Sequence, residues 1–222
     1  MKKAICSLSG GLDSSTVIYY AKNKGYEVYA LSFDYGQRHK KELDAAKNIA
    51  ISVGAKEHKI LKVDLTQIGG SALTDQSMKV PVDRDIEEMT KEIPITYVPM
   101  RNTIFLAFAA AYAEVIGADT IFAGMNAIDY SGYPDCRPEY IKAMQKAIQL
   151  GSKAQNIRIE TPIIGMDKKD IIQLGTKLGV PYEQTWSCYK GGEIACGKCD
   201  SCLLRLKGFE EAGLIDLIKY EK

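Results

Sequence analysis

The sequence Ser9-Gly10-Gly11-Leu12-Asp13-Ser14-Ser15 follows a short apolar run, Ala4 to Leu8, and opens an apolar-periodic segment, Thr16 to Ala21. This order predicts a strand, a tight turn and a helix. The two glycines allow a ligand to approach the backbone closely, and the free N–H groups at the start of a helix attract anions. We therefore expect an anion to bind here. The alternative is a glycine turn that is capped by Asp and Ser side chains and binds nothing.

This loop is not a Walker loop, because GxxxxGK[ST] is absent, and it also lacks the three-glycine spacing of dinucleotide-binding folds. Asp13 would repel a bound phosphate unless a cation such as Mg²⁺ lay between them. The pattern SGGxDS resembles the PP-loop of the ATP pyrophosphatases, which split ATP between the α and β phosphates. The resemblance implies that the loop grips the β,γ-pyrophosphate while the α-phosphate is transferred to a substrate oxygen.

The chain has 222 residues, of which 46% are hydrophobic and 26% are charged, and its formal net charge is +1. This length supports one sizeable core and a small appendage. A near-neutral charge gives no long-range field that favours nucleic acid. The sequence contains no signal peptide pattern and no apolar run of membrane-spanning length. We therefore expect a cytoplasmic protein with no nucleic-acid partner and no membrane partner.

Strand-like runs alternate with helical ones along the chain, and a glycine precedes three of the strand-like runs. A glycine after a helix supplies the left-handed cap that turns the chain back toward the sheet. With Arg158 to Glu160 as a fifth strand, the pattern predicts an α/β fold with a doubly wound, Rossmann-like parallel sheet. Ligands bind at the carboxyl ends of the strands in such sheets. We expect residues 1–185 to form this domain and residues 186–222 to form a small cysteine-rich tail with a last helix.

Three predicted helix starts carry cations: Arg38 to Lys41, Arg101, and the pair Lys168 and Lys169. Cations at a helix start oppose the helix dipole, and a bound anion would compensate. One such start is ordinary surface variation, but three at one edge of the sheet favour an anion site. The long connection from Asp64 to Pro99 is expected to cover this site or to contact another subunit. A plain surface loop is the alternative.

A turn-rich stretch from Gly124 to Pro138 carries aromatic, acidic and basic side chains, among them Tyr133, Asp135 and Arg137. Tyrosine stacks on flat rings, Asp accepts hydrogen bonds from ring N–H groups, and Arg forks onto a carboxylate. This composition suits a planar polar ligand, while a connection without a ligand is the alternative. Cys136 in this stretch is expected to be a buried, inert thiol.

The tail carries four closely spaced thiols, at Cys188, Cys196, Cys199 and Cys202, with glycine turns between them. They can close around one ion without help from the rest of the chain, which predicts a structural zinc site with four thiolate ligands. An iron–sulfur cluster also takes four cysteines, but this spacing matches neither ferredoxin pattern. Unrelated thiols are the remaining alternative.

Five motifs follow one another along the chain: SGGLDSS, FDYGQRHKKEL, VPMRNT, GMNAIDYSGYPDCRPE and the four-cysteine tail. Together they resemble the 7-cyano-7-deazaguanine synthase family over nearly the whole chain. The resemblance implies an ATP-dependent, nitrile-forming carbon–nitrogen ligase of queuosine biosynthesis. Such an enzyme converts 7-carboxy-7-deazaguanine and ammonia to 7-cyano-7-deazaguanine through an adenylated carboxylate and an amide. It also implies Mg²⁺ with ATP, one structural Zn²⁺ per chain and a homodimer.

Three sets of site residues are expected from the loop chemistry and the resemblance. Asp13, Arg101 and Lys168 are expected to be catalytic, with Arg101 and Lys168 stabilising charge in the transition state. The residues expected to bind ATP are Leu8, Ser9, Gly10, Gly11, Leu12, Asp13, Ser14, Ser15, Thr16, Val17, Ile18 and Arg38. The residues expected to bind the deazaguanine are Gln37, Tyr133, Asp135 and Arg137.

Two other functions share the first motif. A tRNA-modifying PP-loop enzyme would need a tRNA-binding surface or an appended domain, for which this near-neutral chain has no room. A nucleotide-binding sensor of the same sheet class would bind ATP without forming a product.

Overall fold

A computed structural model of the chain describes residues 1–38, 40–89, 92–128 and 133–221. The strands in these residues are β1 (Lys3–Ser7), β2 (Glu27–Asp34), β3 (Glu57–Lys62), β4 (Thr120–Phe122) and β5 (Arg158–Glu160). They form one sheet in the order β3-β2-β1-β4-β5, and every neighbouring pair is parallel.

Helices cover both faces of this sheet. They are α1 (Leu12–Asn23), α2 (Lys41–Ser52), α3 (Ile86–Met89), α4 (Arg101–Ile116), α5 (Pro138–Gly151), α6 (Lys168–Leu178) and α7 (Asp200–Glu211). Helices α4 and α5 share one apolar core with the sheet, while α1, α2, α6 and α7 share the core on the opposite face. This arrangement confirms the predicted doubly wound α/β fold.

The side chains of β2 alternate between the two cores. Tyr29, Leu31 and Phe33 pack on the α4 side, and Val28 and Ala30 pack on the α1 side. Successive side chains of a strand point to opposite faces, so a sheet that is covered on both faces needs an almost continuous apolar run. The apolar run from Val28 to Phe33 therefore places β2 inside the sheet, next to β1.

The strand order reverses between β1 and β4, which opens a crevice at the carboxyl edge of the sheet. Asn126, in the loop after β4, donates from Nδ2 to the main-chain oxygens of Ile163 and Met166 at 3.1 and 2.6 Å. Its Oδ1 accepts from the backbone N–H of Ile128 at 2.8 Å. The buried amide thus joins the loop after β4 to the segment that leads into α6, so both segments wall the same crevice.

The first helix begins at Leu12, before the apolar period that starts at Thr16. Its first turn is mostly polar, so an apolar pattern cannot reveal it. The carboxylate of Asp13 nevertheless favours a helix start, because its negative charge is attracted to the positive end of the helix dipole. The last helix, predicted within the tail, begins at Asp200 between the third and fourth cysteines of the cluster.

The last residues of the chain are tied to the domain through Arg205 of α7, whose side chain is buried. Its guanidinium donates to both carboxylate oxygens of Asp216, at 2.6 and 2.9 Å, and to the main-chain oxygen of Tyr182 at 2.9 Å. A buried guanidinium needs such acceptors because an unpaired buried charge is costly. No helix in the described ranges combines the length and the apolar content needed to cross a membrane.

Candidate active site and metal centre

A cavity of about 270 Å³ lies at the carboxyl edge of the sheet, in the crevice between β1 and β4. Its walls come from the loops after β1, β2 and β4, from the starts of α4 and α6, and from the first residues of the C-terminal tail. Leu73 is the described residue of the connection 64–99 that lines the cavity. The cavity thus lies at the edge where the sequence predicts ligand binding.

The loop after β1 is closed by its own serines. The backbone N–H of Ser9 donates to Ser14 Oγ at 3.1 Å, and Ser14 Oγ donates to the main-chain oxygen of Gly11 at 3.2 Å. Gly11 is the N-cap residue of α1, and no side chain forms a capping hydrogen bond there. The N-cap residue therefore leaves the first N–H groups of α1 without a side-chain cap, and N–H groups of this kind attract anions.

Gly10 allows this loop to press against α2. Its φ is +83°, and a Cβ atom at this position would lie 2.2 Å from the main-chain oxygen of Glu42 and 2.6 Å from the backbone N of Ala46. A side chain is excluded by both the conformation and the close approach. The main-chain oxygen of Gly10 accepts from the backbone N–H of Trp186 at 2.9 Å, so the tail holds the other side of the loop.

The three predicted catalytic side chains meet in this cavity. Lys168 Nζ lies 2.7 Å from Asp13 Oδ1, and Arg101 donates from a guanidinium nitrogen to the hydroxyl of Tyr35 at 3.3 Å. All three residues line the cavity wall together with the loop after β1. The stem of Lys168 passes over Gly208 of α7, where a Cβ atom would lie 2.4 Å from Lys168 Cγ. Two cations from distant segments therefore line one cavity with the loop after β1.

Glu42 lines the same cavity and was missed by the sequence analysis. Its Oε1 accepts from Gln37 Nε2 at 2.9 Å. Burial raises the pKa of this carboxyl from 4.5 to about 7, against the opposing effects of Arg101 and of the Gln37 hydrogen bond. The signal that could have found it is a carboxylate directly after the basic run that ends at Lys41.

Arg38 and Gln37 line the cavity, but their polar groups are engaged with the protein. Arg38 donates to the main-chain oxygens of Ala72, Asp75 and Met78, and so fastens the connection 64–99 to the end of β2. Gln37 bridges the backbone N–H of Tyr35, at 2.8 Å, and the carboxylate of Glu42. Contacts of these two side chains with ATP and the deazaguanine stay predictions. His39 lies outside the described residues.

The other residues predicted to bind the deazaguanine are divided between the cavity and its surroundings. Tyr133 lines the cavity, and its hydroxyl lies 3.3 Å from Thr96 Oγ1. Asp135 is buried behind the wall, where Oδ2 accepts from the backbone N–H of Asn102 at 3.2 Å. Arg137 is exposed at the start of α5. The structure therefore brings Tyr133 to the cavity and does not bring Asp135 or Arg137 there, because Asp135 caps α4. Residues 129–132 lie outside the described residues.

Part of the predicted ATP-binding set is also turned away from the cavity. Val17 and Ile18 are fully buried in the core on the α1 side, and Thr16 Oγ1 lies 2.8 Å from the hydroxyl of Tyr182. These side chains position the helix, so contact with ATP at these positions stays a prediction. The cavity residues of the loop after β1 are Leu8, Ser9, Gly11, Leu12, Asp13 and Ser14.

Aromatic side chains form an apolar part of the cavity wall. The rings of Phe33 and Phe105 are stacked, with centroids 3.8 Å apart and an interplanar angle of 5°. Tyr35 and Tyr133 line the same wall. A flat heterocycle can stack on such a surface. The sequence did not mark Phe33 or Phe105, because each also reads as an ordinary core position.

A second centre lies in the tail, where the sulfur atoms of four buried cysteines lie within 4.8 Å of one another. They are Cys188, Cys196, Cys199 and Cys202. The backbone N–H groups of Cys196 and Cys199 donate to cysteine sulfurs at 3.4 and 3.3 Å, which suits thiolates with negative charge. Four thiolates are the donor set of closed structural sites. The cluster can hold a metal such as zinc.

The connection 64–99 is attached to this metal centre. Val82 forms an antiparallel bridge with Cys199, and the backbone N–H of Asp83 donates to the main-chain oxygen of Lys198 at 2.8 Å. Arg84 pairs with the buried carboxylate of Asp200 at 2.9 Å. The cysteine cluster therefore holds the connection in place as well as the tail.

Comparison with protein families matches residues 3–213 to the family described as "Queuosine biosynthesis protein QueC". Among curated relatives, the chain is 61% identical to the 7-cyano-7-deazaguanine synthase of Trichodesmium erythraeum, over 96% of this chain and 98% of that protein. It is also 61% identical to the 7-cyano-7-deazaguanine synthase of Thermoplasma acidophilum, over 100% of this chain and 93% of that protein.

Solved structures share the fold at low identity. A 4-thiouridine synthetase in complex with RNA and bound ATP is 20% identical with a TM-score of 0.53, over 82% of this chain and 42% of that chain. A predicted subunit of tRNA methyltransferase from Methanocaldococcus jannaschii is 15% identical with a TM-score of 0.52, over 100% of this chain and 93% of that chain. At these identities the likeness concerns the fold alone.

Proposed function

This chain belongs to the queuosine biosynthesis protein QueC family, and we propose that it converts 7-carboxy-7-deazaguanine and ammonia to 7-cyano-7-deazaguanine with ATP. The observation that supports this most directly is the cavity in which the loop after β1, Arg101 and Lys168 meet. An ATP-dependent ligase needs an anion site and cations at the place where a carboxylate is activated, and this cavity offers both.

The reaction requires the adenylation of a substrate oxygen twice. A carboxylate does not react with ammonia until its oxygen becomes a leaving group, and adenylation by ATP makes it one. Ammonia then replaces AMP to give an amide. Adenylation of the amide oxygen, followed by loss of AMP, gives the nitrile. One cavity can serve both halves, because each half transfers an adenylyl group to an oxygen on the same carbon.

The chain's own groups fit the roles that adenylyl transfer demands. The N–H groups at the start of α1, with Ser9 and Ser14, bind the β,γ-pyrophosphate. Arg101 and Lys168 stabilise the negative charge that builds up on the phosphorus oxygens, and they act strongly because the cavity excludes much of the solvent. The aromatic wall formed by Phe33 and Phe105 stacks against the deazaguanine ring.

We also propose that Asp13 would hold the Mg²⁺ that accompanies ATP, where the ion would shield the charge of the phosphates. A carboxylate oxygen at the edge of an anion site is the donor that Mg²⁺ prefers, and Lys168 is the group that neutralises it in the described structure. Asp13→Ala should abolish turnover and leave the fold intact by circular dichroism. Retained turnover would contradict this role.

The remaining assignments concern the whole protein. We propose that residues 186–222 form a zinc-binding element on the domain of residues 1–185, that the metal is structural Zn²⁺, and that the enzyme is a cytoplasmic homodimer. Exposed apolar side chains on α4 and α5, such as Val115 and Leu150, support contact with a second copy. Sedimentation velocity tests the dimer, and cell fractionation tests the location.

The decisive experiment mixes the protein with ATP, Mg²⁺, 7-carboxy-7-deazaguanine and ammonium, and looks for the cyano product by mass spectrometry. Product formation is the expected result. Tight ATP binding without product would favour a nucleotide sensor. Binding of labelled tRNA with a steep salt dependence would favour a tRNA-modifying enzyme.

A further inference from the structure

Two carboxylates are found among the described residues that line the cavity, Asp13 and Glu42. Asp13 is paired with Lys168 at 2.7 Å. Glu42 has one oxygen engaged, since Oε1 accepts from Gln37 Nε2 at 2.9 Å, and its Oε2 has no hydrogen-bond partner within the described ranges. Each carboxylate therefore has one oxygen left for a ligand, but Asp13 is already paired with a lysine, whereas Glu42 forms no ion pair within the described ranges.

The position of Glu42 is fixed against the loop that binds the anion. Its main-chain oxygen lies so close to Gly10 that a Cβ atom there would be only 2.2 Å away. Glu42 is the second residue of α2, a helix held to the sheet by the core on the α1 side. The backbone of this residue is thus held against the loop, and its side chain lines the same cavity as the loop.

The surroundings of Glu42 suit a group that exchanges protons. Arg101 and Tyr35 are the charged and titratable groups that face it, and Gln37 donates to it. Burial outweighs the effect of Arg101 and raises the pKa of the carboxyl to about 7. Proton acceptors work best when their pKa lies near the working pH. Cys136 also lines the cavity, but burial raises the pKa of its thiol to about 12, so it stays protonated.

The chemistry of the proposed function, on which this inference rests, needs such an acceptor repeatedly. An ammonium ion carries four protons, and a nitrile nitrogen carries none. One proton leaves before ammonia attacks, and a second leaves as the C–N bond forms and the C–O bond to AMP breaks. The last two leave when the amide oxygen is adenylated and then expelled with AMP. Each time, a base beside the reacting carbon must take the proton and pass it to solvent.

We propose that Glu42 is a catalytic residue that binds ammonium beside the loop after β1 and accepts protons from the reacting nitrogen in both halves of the reaction. A carboxylate attracts ammonium by charge, and its free oxygen receives the N–H hydrogen bond. Neutral ammonia is then released next to the adenylated carbon. The role differs from that of Asp13, whose carboxylate faces Lys168.

Glu42→Gln tests the proposal, because glutamine keeps the shape and the acceptor for Gln37 but cannot take a proton at neutral pH. Three reactions are compared at pH 7 with the wild type: ATP–pyrophosphate exchange with 7-carboxy-7-deazaguanine and no amine, amide and nitrile formation with ammonium, and hydroxamate formation with hydroxylamine. Hydroxylamine is largely neutral at this pH, so it does not need the first deprotonation. Asp44→Asn, an exposed carboxylate on the same helix, is the matched control and should leave all three reactions unchanged.

The expected result is that Glu42→Gln loses amide formation but keeps the exchange reaction. The exchange reaction of Glu42→Gln should stay within about threefold of the wild type, while amide formation with ammonium falls by about 10²–10⁴-fold. The loss with hydroxylamine should be at least about tenfold smaller. Equal losses with both amines, loss of the exchange reaction, or unchanged amide formation would each overturn the proposal. If the wild type itself makes neither amide nor nitrile, the proposed function fails, and this result is separate from any property of the variant.

Discussion

Lys168 Nζ lies 2.7 Å from Asp13 Oδ1, so the first turn of α6 supplies a counter-charge to the first turn of α1. Both side chains are partly shielded from solvent, with exposed fractions of 13% and 29%. A carboxylate beside a phosphate site would repel the ligand, and this pairing removes that conflict in the chain itself. The function proposed above gives the same lysine a second role, because negative charge would develop beside it during adenylyl transfer.

Lys168→Ala should lower the rate of ATP–pyrophosphate exchange by about 10²–10³-fold, because a positioned charge contributes most in the transition state. The ATP Kd should change by less than about fivefold, as ground-state binding depends mainly on the N–H groups of α1. Equilibrium dialysis and exchange kinetics measure the two quantities. Lys177→Ala, an exposed lysine at the other end of α6, is the control. A loss of affinity as large as the loss of rate would make Lys168 a binding residue.

Cys199→Ser should release the metal and loosen both the tail and the connection 64–99, since Val82 is bridged to this cysteine. The zinc content, measured by elemental analysis, should fall from about one ion per chain to nearly none, and protease should cut the chain near residue 83. Cys6→Ala is the matched control, because Cys6 is a buried cysteine of β1 outside the cluster, and it should keep the metal. Iron in place of zinc in the wild type would contradict the metal assignment.

Gly10→Ala and Gly25→Ala form a matched pair. Both glycines have nearly the same φ, +83° and +82°, but a Cβ atom at Gly25 would meet nothing within 4 Å. We expect Gly25→Ala to lower the free energy of unfolding by about 1–2 kcal/mol through backbone strain alone. Gly10→Ala should cost about 1–3 kcal/mol more, because the methyl group would overlap the backbone of α2. Urea unfolding measures both, and equal losses would argue against the close contact.

Glu42 should make the stability of the protein depend on pH. Its pKa is raised from 4.5 to about 7 in the folded state, so the folded protein holds this proton more tightly than the unfolded chain. The resulting stabilisation is fully present below pH 4.5 and is lost as the pH rises to about 7. Glu42→Gln should therefore match the wild type near pH 4.5 and exceed its free energy of unfolding by about 1–3 kcal/mol at pH 8. If the difference in free energy of unfolding between Glu42→Gln and the wild type stays constant from pH 4.5 to pH 8, the pKa of Glu42 is not raised.

The parts of the site that the sequence predicts are those set by local chemistry. The glycine turn, the alternation of strands and helices and the cysteine spacing each depend on neighbouring residues, and the structure has all three. Arg101 and Lys168 were predicted to meet because parallel strands end at one edge. The role of Asp135 was harder to predict, because an Asp that caps a helix and an Asp that contacts a ligand can have the same neighbours in the sequence. Glu42 follows the basic run directly and could have been noticed there, but its raised pKa could not be predicted, since that arises from burial that only the assembled fold creates.

The contact between Lys168 and Gly208 restricts how the chain can change in length. An α-helix turns about 100° per residue, so one residue inserted between Cys202 and Gly208 would carry the glycine to another side of α7 and bring a bulky side chain under the lysine. Insertions and deletions that preserve activity should therefore fall outside this helix. In a library of single-residue insertions, the stretch from Cys202 to Gly208 should stand out as intolerant even though it lies far along the chain from the glycine loop.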